Sequence, residues 1–154
     1  MHRLAPLALA VFGSLAATTA SADTLPVPVV RVLSPRLAHT LRDAALVSPT
    51  LRTLLRDLER SDLIVHVVGR SGLVLPTHAR RRPAGTMRFV TATPTRRFVR
   101  IAVDESLPPQ TRAAVLAHEL WHALEVAREP QVVDQDSFER LYRHIGHHSF
   151  GRPT

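Results

Sequence analysis

The chain has 154 residues, the usual length of a single domain, and it contains no cysteine, which excludes a disulfide framework. Its 20 basic residues, all arginine, outnumber 13 acidic ones. Because aromatic residues make up only 5% of the chain, the short arginine runs at 80–82 and 96–97 fit solvated loops better than a nucleic-acid site, and nucleic acid is not expected as a partner. Binding to an anionic surface, such as lipid headgroups or wall polymers, stays open.

The first 22 residues have the pattern of a secretory signal peptide. A short basic start at Met1–Arg3 precedes an Ala- and Leu-rich stretch over 4–17, and Ala20-Ser21-Ala22 matches the small-x-small cleavage pattern. The apolar stretch is short for a transmembrane helix, so no stable membrane span is expected after cleavage. We therefore expect a mature domain over 23–154 that is exported to the periplasm or secreted.

Two helices are predicted from a repeated Ser-Pro step. Ser34-Pro35 and Ser48-Pro49 each offer an N-cap serine followed by proline at the first helical position. These signals predict helices near 35–47 and 49–60. Together the two helices should form a helical hairpin.

Strand signals occupy the middle of the chain. Residues 63–68 are rich in β-branched side chains, and His66 among them is of a kind that more often packs in a core than binds a metal. Residues 73–75 are a further short candidate strand. Residues 87–93 and 97–103 flank Pro94-Thr95-Arg96, which predicts a hairpin. In the second of these strands, one side should carry Phe98, Arg100 and Ala102, and the other Val99, Ile101 and Val103.

A long helix follows, and it carries the most informative motif of the chain. Pro108 and Pro109 suit a first turn, and 111–129 then runs without glycine or proline. Within it, His118-Glu119-Leu120-Trp121-His122 puts two imidazoles on one face, the geometry that binds a single Zn²⁺. The opposite, apolar sector consists of Leu116, Ala117, Leu120, Ala123, Leu124 and Ala127. An ordinary solvated helix face is the plain alternative.

The last element predicted is a short helix. Asp136-Ser137-Phe138-Glu139 is similar to a capping box, and an apolar stripe with helical spacing follows it, closed by Gly146. The stripe consists of Phe138, Leu141, Tyr142 and Ile145. The order of elements therefore predicts an α+β domain: a helical hairpin, a small mainly antiparallel sheet, the motif helix and a short C-terminal helix.

This arrangement resembles the zincin metallopeptidases, and 118–125 is also similar to a group of small exported bacterial proteins of unassigned function. The resemblance covers 116–127 and implies a zinc-dependent peptidase acting on peptide or protein substrates. His118 and His122 would ligate Zn²⁺, and Glu119 would take a proton from the attacking water and pass it to the leaving amine. Zincins commonly hold substrate as an added strand, for which 97–103 is the candidate edge.

The motif leaves the third metal ligand undecided. The residues after Glu125 lack the Gly and His of the longer metzincin string. Glu125 itself shares the ligand face, but a supporting role is expected because it belongs to the same helix. Glu139 is the leading candidate, and an open site without a third protein ligand is an alternative. The other candidates are Asp134, Asp136, His147 and His148.

A second kind of function stays open beside peptide hydrolysis. In a noncatalytic metal-binding or interaction domain, the helix would keep its histidines without a competent water site. An exported domain that binds no metal is a third alternative. Metal content separates this last class from the other two, whereas hydrolysis separates the first two from each other.

Overall fold

The computed structural model describes residues 28–71 and 83–149, with side chains as far as His144. The signal-peptide segment, the candidate strand at 73–75 and the arginine run at 80–82 lie outside these residues. The described elements are β1 (Val30–Val32), α1 (Pro35–Val47), α2 (Pro49–Glu59), β2 (Leu63–Arg70), β3 (Gly85–Ala92), β4 (Arg97–Asp104), α3 (Pro109–Arg128) and α4 (Gln135–Ser149). None of the described helices is long and apolar enough to cross a membrane.

The helical hairpin forms as the Ser-Pro steps predict. The Ser34 hydroxyl accepts a hydrogen bond from the Leu37 amide at 3.3 Å, and the Ser48 hydroxyl accepts one from the Leu51 amide at 3.1 Å. Each bond satisfies one of the amides left unpaired at a helix start. The predicted bounds of α1 are confirmed, and those of α2 differ by one residue.

The sheet is mixed, with strand order β1-β2-β4-β3. β1 pairs with β2 in parallel, β2 pairs with β4 in parallel, and only β3 and β4 are antiparallel. The prediction of a mainly antiparallel sheet is therefore wrong, while the α+β class is confirmed. β1 and β2 are parallel because the α1–α2 hairpin is a crossover that returns the chain to its original direction before β2. β2 and β4 are parallel because the antiparallel partner β3 lies on the far side of β4. The three residues of β1 carry too little pattern to be recognised in the sequence.

The predicted edge strand is an interior strand. β4 pairs with β2 on one side and with β3 on the other, so β3 is the edge strand nearest the motif helix. A hairpin signal fixes that β3 and β4 are neighbours, but it does not fix which of them pairs with a third strand. The burial of β4 follows the predicted alternation in most positions: Val99, Ile101 and Val103 are fully buried, and Phe98 and Arg100 are half-buried, but Ala102 is buried as well.

The core lies between the inner face of the sheet and helices α1 to α3. On this face Val65, Val67 and the valines of β4 are fully buried. The motif helix α3 packs over β2, β4 and β3. Its buried apolar residues are Leu116, Leu120, Ala123, Leu124 and Val126. The predicted apolar sector is thus largely confirmed, with Ala117 and Ala127 partly buried at its margins.

Arg97 fixes the C-terminal end of α3 to the start of β4. The residue is only 3% exposed, and its guanidinium donates to both carboxylate oxygens of Asp62, at 2.8 and 2.6 Å. It also donates to the carbonyls of Val126, Ala127, Glu129 and Val132 at distances of 2.7 to 3.3 Å. The last carbonyls of a helix have no partner within the helix, so Arg97 supplies those donors. For Arg97 the expectation of a solvated loop is wrong, whereas Arg96 beside it is exposed.

The start and end of α4 differ from the prediction. The helix begins at Gln135, so Asp134 and not Asp136 is the capping residue, and the helix continues past Gly146 to Ser149. The Asp134 carboxylate accepts from the Ser137 amide at 2.7 Å, and the Ser137 hydroxyl accepts from the Asp134 amide at 3.1 Å. These two reciprocal hydrogen bonds form a capping box in which Ser137 takes the position that the sequence predicts for Glu139. Asp136 lies in the first turn, where a carboxylate is also favourable.

Candidate metal site

The two motif histidines converge on the exposed face of α3. Their Nε2 atoms are 3.1 Å apart, and their ring centroids are 4.4 Å apart with the planes inclined at 78°. Two imidazole nitrogens bound tetrahedrally to one zinc ion, each about 2.1 Å from it, would be about 3.4 Å apart. The observed separation therefore suits a shared ion, although it also suits a hydrogen bond between the two rings. The pair of donors is of the type that Zn²⁺ prefers.

Glu125 holds the ring of His122 from the same helix. Its Oε2 lies 2.6 Å from His122 Nδ1, and its Oε1 accepts a hydrogen bond from Trp121 Nε1 at 3.1 Å. A proton on Nδ1 that is donated to the carboxylate leaves the Nε2 lone pair of His122 free for a ligand. Carboxylates that contact metal-binding histidines in this way orient the ring and raise its basicity. Glu125 thus makes the contact that a supporting residue would make.

Glu119 lies at the boundary between the ligand face and the core. It is 8% exposed, and burial raises the pKa of its carboxyl, an effect opposed by the charge of His122. The side chain rests against Gly85 at the start of β3. A Cβ at Gly85 would lie 2.6 Å from Glu119 Oε1 and 2.7 Å from Val115 Cγ1, both too close. Gly85 belongs to no motif in the sequence, although a glycine at a strand end can signal such a close approach.

Tyr142 of α4 lies beside the motif histidines as well as in its predicted apolar stripe. It was expected only in the apolar stripe of the last helix, and its ring does pack 4.7 Å from that of Phe138. The same ring lies 5.5 Å from His122, and its hydroxyl is buried without a hydrogen-bond partner among the described residues. Burial above all, with the nearby charges of Glu125 and Glu119, raises the pKa of this phenol. A buried hydroxyl ordinarily has a partner, so Tyr142 is well placed to donate to a further polar group beside His122.

The structure does not bring Glu139 to the histidines. Glu139 is exposed and accepts a hydrogen bond from Gln135 at 2.9 Å. Phe138 and Tyr142 occupy the face of α4 that packs inward, and Glu139 is turned about 100° from Phe138 around the helix. Asp134 caps the helix, where hydrogen bonds from Ser137 lower the pKa of its carboxyl, and Asp136 is exposed.

The remaining candidates for a third ligand lie beyond what the structure describes. The side chains of His147 and His148 are outside the described residues. Within 28–71 and 83–144, no group of three or more histidine, cysteine, aspartate or glutamate side chains is arranged to hold a metal ion. The described site therefore consists of the two histidine nitrogens, the Glu125 carboxylate that contacts His122, the buried Glu119 and the Tyr142 hydroxyl.

Comparisons of the chain with protein-family models, with curated proteins and with solved structures give no significant match. The functional argument is therefore made from the residues and their geometry.

Proposed function

We propose that the protein is an exported zinc-dependent metallopeptidase that hydrolyses peptide bonds. The observation that carries the proposal is the convergence of His118 and His122, whose Nε2 atoms are 3.1 Å apart, with Glu119 directly after the first histidine. The contact between Glu125 and His122 adds support, because it orders one of the two donors in advance of any ligand. The small sheet beside the motif helix is compatible with the zincin resemblance.

The residues of the site can be given distinct roles. His118 and His122 would hold the ion, which when bound supplies a Lewis acid that acidifies water and polarises a carbonyl group. Glu119 would accept the proton of the attacking water and return it to the leaving amine. Burial raises the pKa of Glu119 and so brings this base closer to the working pH, which favours proton transfer in both directions. The Tyr142 hydroxyl would donate a hydrogen bond to an oxygen of the substrate.

The free edge of β3 is the candidate position for an extended substrate. No described strand pairs with this edge, and β3 begins at Gly85, which touches Glu119. A peptide that adds to the edge as a further strand would pass the catalytic carboxylate at this glycine. The candidate edge for an added substrate strand is therefore β3 and not β4, since β4 has neighbours on both sides.

A noncatalytic metal-binding domain is the second candidate function. The observation in its favour is that the described residues contain only two converging histidines and no third ligand. Such a site would bind zinc weakly and would lack turnover. Metal binding without hydrolysis, in wild-type protein assayed against a broad substrate set, would favour this candidate.

Zinc content and cleavage of a broad peptide library, measured on the same preparations, test the proposal. His118→Ala and His122→Ala should each lose bound zinc and activity, because each variant removes one nitrogen donor. Glu119→Gln should keep zinc and lose turnover, and Tyr142→Phe should keep zinc and turn over more slowly. His39→Ala is the matched control, since His39 is an exposed histidine of α1 paired with Asp43. Equal zinc content in the wild type and in both motif-histidine variants would refute the assignment.

Export has its own test. The basic start, the apolar centre and Ala20-Ser21-Ala22 predict a mature N-terminus at Asp23. N-terminal sequencing of the protein recovered from a secreting host should find this residue. Met1 retained on soluble cytoplasmic protein would contradict export without bearing on the metal site.

A further inference from the structure

Four side chains form one row across the outer face of the sheet, opposite the face on which α3 packs. In the strand register Arg31 pairs with His66, His66 pairs with Arg100, and Arg100 pairs with Arg88. We call these four residues the arginine row. Because neighbouring strands are about 4.8 Å apart, the row crosses all four strands and spans about 14 Å.

The arginines of the row have no carboxylate partner among the described residues. Among the described residues, Arg31 donates to the Pro28 carbonyl, at 3.2 Å. The ion pairs among the described residues join other groups, and none of them includes Arg88 or Arg100. Like charges directly opposite each other on neighbouring strands destabilise a sheet. The row is therefore an arrangement that costs stability unless an anion lies along it.

The charge is confined to a line and does not cover the whole face. On one side of the row the outer face carries Ile64 and Phe98, and on the other it carries Val68, Ala102 and Thr86. Arg88 and Arg100 line two adjoining clefts on this face and its edge, one extending to Arg70 and the other to Gln135. A flat anionic surface would be matched by a broad basic patch, whereas a single row with neutral flanks matches a chain of charges.

The arginines also indicate the chemistry of the ligand. A guanidinium donates two parallel hydrogen bonds, and this fork fits the paired oxygens of a phosphate group. Proteins that hold single-stranded nucleic acid add aromatic rings on which bases stack. Phe98 is the aromatic residue beside the row, and its ring stacks on His66 with centroids 6.4 Å apart. Recognition would then depend on phosphates and not on bases.

We propose that the arginine row binds a linear phosphate polymer that runs across the strands, with phosphate groups at Arg31 and between Arg100 and Arg88. This function is independent of the proposed zinc site, which lies on the other side of the sheet. It would hold the protein on an anionic polymer in the compartment to which it is exported.

Binding of the full-length protein to long-chain inorganic polyphosphate tests this proposal. Arg88→Gln/Arg100→Gln should bind at least about tenfold more weakly than the wild type, and the slope of log affinity against log salt should become shallower by about 0.7 for the one lost phosphate contact. The control Arg42→Gln/Arg60→Gln removes the same charge from exposed positions on α1 and at the end of α2 and should change affinity less than about twofold. The Tm of the row variant should not fall, because a like-charge pair is removed.

Three outcomes would overturn the proposal. Equal losses in the row variant and the control would mean that affinity follows net charge alone. Row-dependent binding to phosphatidylglycerol vesicles without binding to polyphosphate would assign the row to a membrane surface. If the row variant has a lowered Tm, Arg31→Gln replaces it in the binding assay. Unchanged affinity of Arg31→Gln for polyphosphate would then also contradict the proposal.

Discussion

The packed side of α3 and its histidine side differ in the surroundings of their buried polar groups. On the packed side, Arg97 brings a buried charge to the helix end, and its donors are matched by a carboxylate and by backbone carbonyls. On the histidine side, the Tyr142 hydroxyl has no hydrogen-bond partner within the part of the chain that the structure describes, and Glu119 is a buried carboxyl with a raised pKa. Fully satisfied groups stabilise the fold, whereas unsatisfied or desolvated groups mark the place where a ligand or a reaction is expected.

The largest effect should come from Arg97→Met, which removes the hydrogen bonds that Arg97 makes on the packed side of α3. The substitution leaves four carbonyls at and just beyond the end of α3 without their donor and removes the partner of the half-exposed Asp62. It should lower the free energy of unfolding by about 3 to 5 kcal/mol, mainly through the carbonyls. Denaturation in urea measures this loss. Arg96→Met, at the exposed neighbour, is the control and should change stability by less than about 0.5 kcal/mol. A loss below about 1 kcal/mol in Arg97→Met would mean that the buried network contributes little.

Leu120→Ala tests the packed side at its centre, inside the histidine motif. Leu120 is fully buried. Its truncation should cost about 2 to 5 kcal/mol, from lost burial and from the cavity left behind. The same denaturant series on Trp121→Ala, at the exposed next position, should show a smaller loss. The reverse order would mean that α3 is rotated relative to the described structure.

Asp134→Ala tests the cap at the start of α4. Loss of the bond to the Ser137 amide should lower the free energy of unfolding by about 1 kcal/mol. Asp136→Ala should cost less, because Asp136 lies in the first turn and is not the cap. Zinc content should be unchanged in both variants and in Glu139→Ala. Loss of zinc in Glu139→Ala alone would restore Glu139 as the third ligand.

Acid should weaken the packed side through Asp62. The Arg97 hydrogen bonds hold the pKa of Asp62 below its ordinary 3.8. A depressed folded pKa contributes stability above the unfolded pKa, and this contribution is lost as pH falls through the folded value. The stability difference between wild type and Asp62→Asn should therefore shrink when denaturation is measured at pH values below about 3.8. A constant difference from neutral to acidic pH would contradict the linkage.

The smallest effect on stability should come from the histidine side. Glu119→Gln replaces a buried carboxyl by a neutral group of similar shape, so the free energy of unfolding should stay within about 0.5 kcal/mol of wild type or rise slightly. Turnover should be lost while stability is kept. A large loss of stability would mean that Glu119 is held by charge and has a mainly structural role.

Local signals predicted much of the fold. The Ser-Pro steps predicted the starts of α1 and α2, because an N-cap serine and a first-turn proline depend only on the residues of the first helical turn. The hairpin between β3 and β4 and the apolar sector of α3 were also predicted, since each depends on a short periodic pattern. The start of α4 was misplaced by two residues, because Asp134 and Asp136 are both good caps and only packing selects between them.

The sequence by itself determined that two histidines and a glutamate share a helix, because a spacing of four residues fixes a helical face whatever surrounds it. Tertiary structure decided that β4 is interior, that Gly85 touches Glu119, that Arg97 is buried and that Tyr142 joins the site. It also placed Arg31, His66, Arg100 and Arg88 in one row. These contacts join residues far apart in the chain, and strand order and register are set by the packing of the whole core and not by any local pattern.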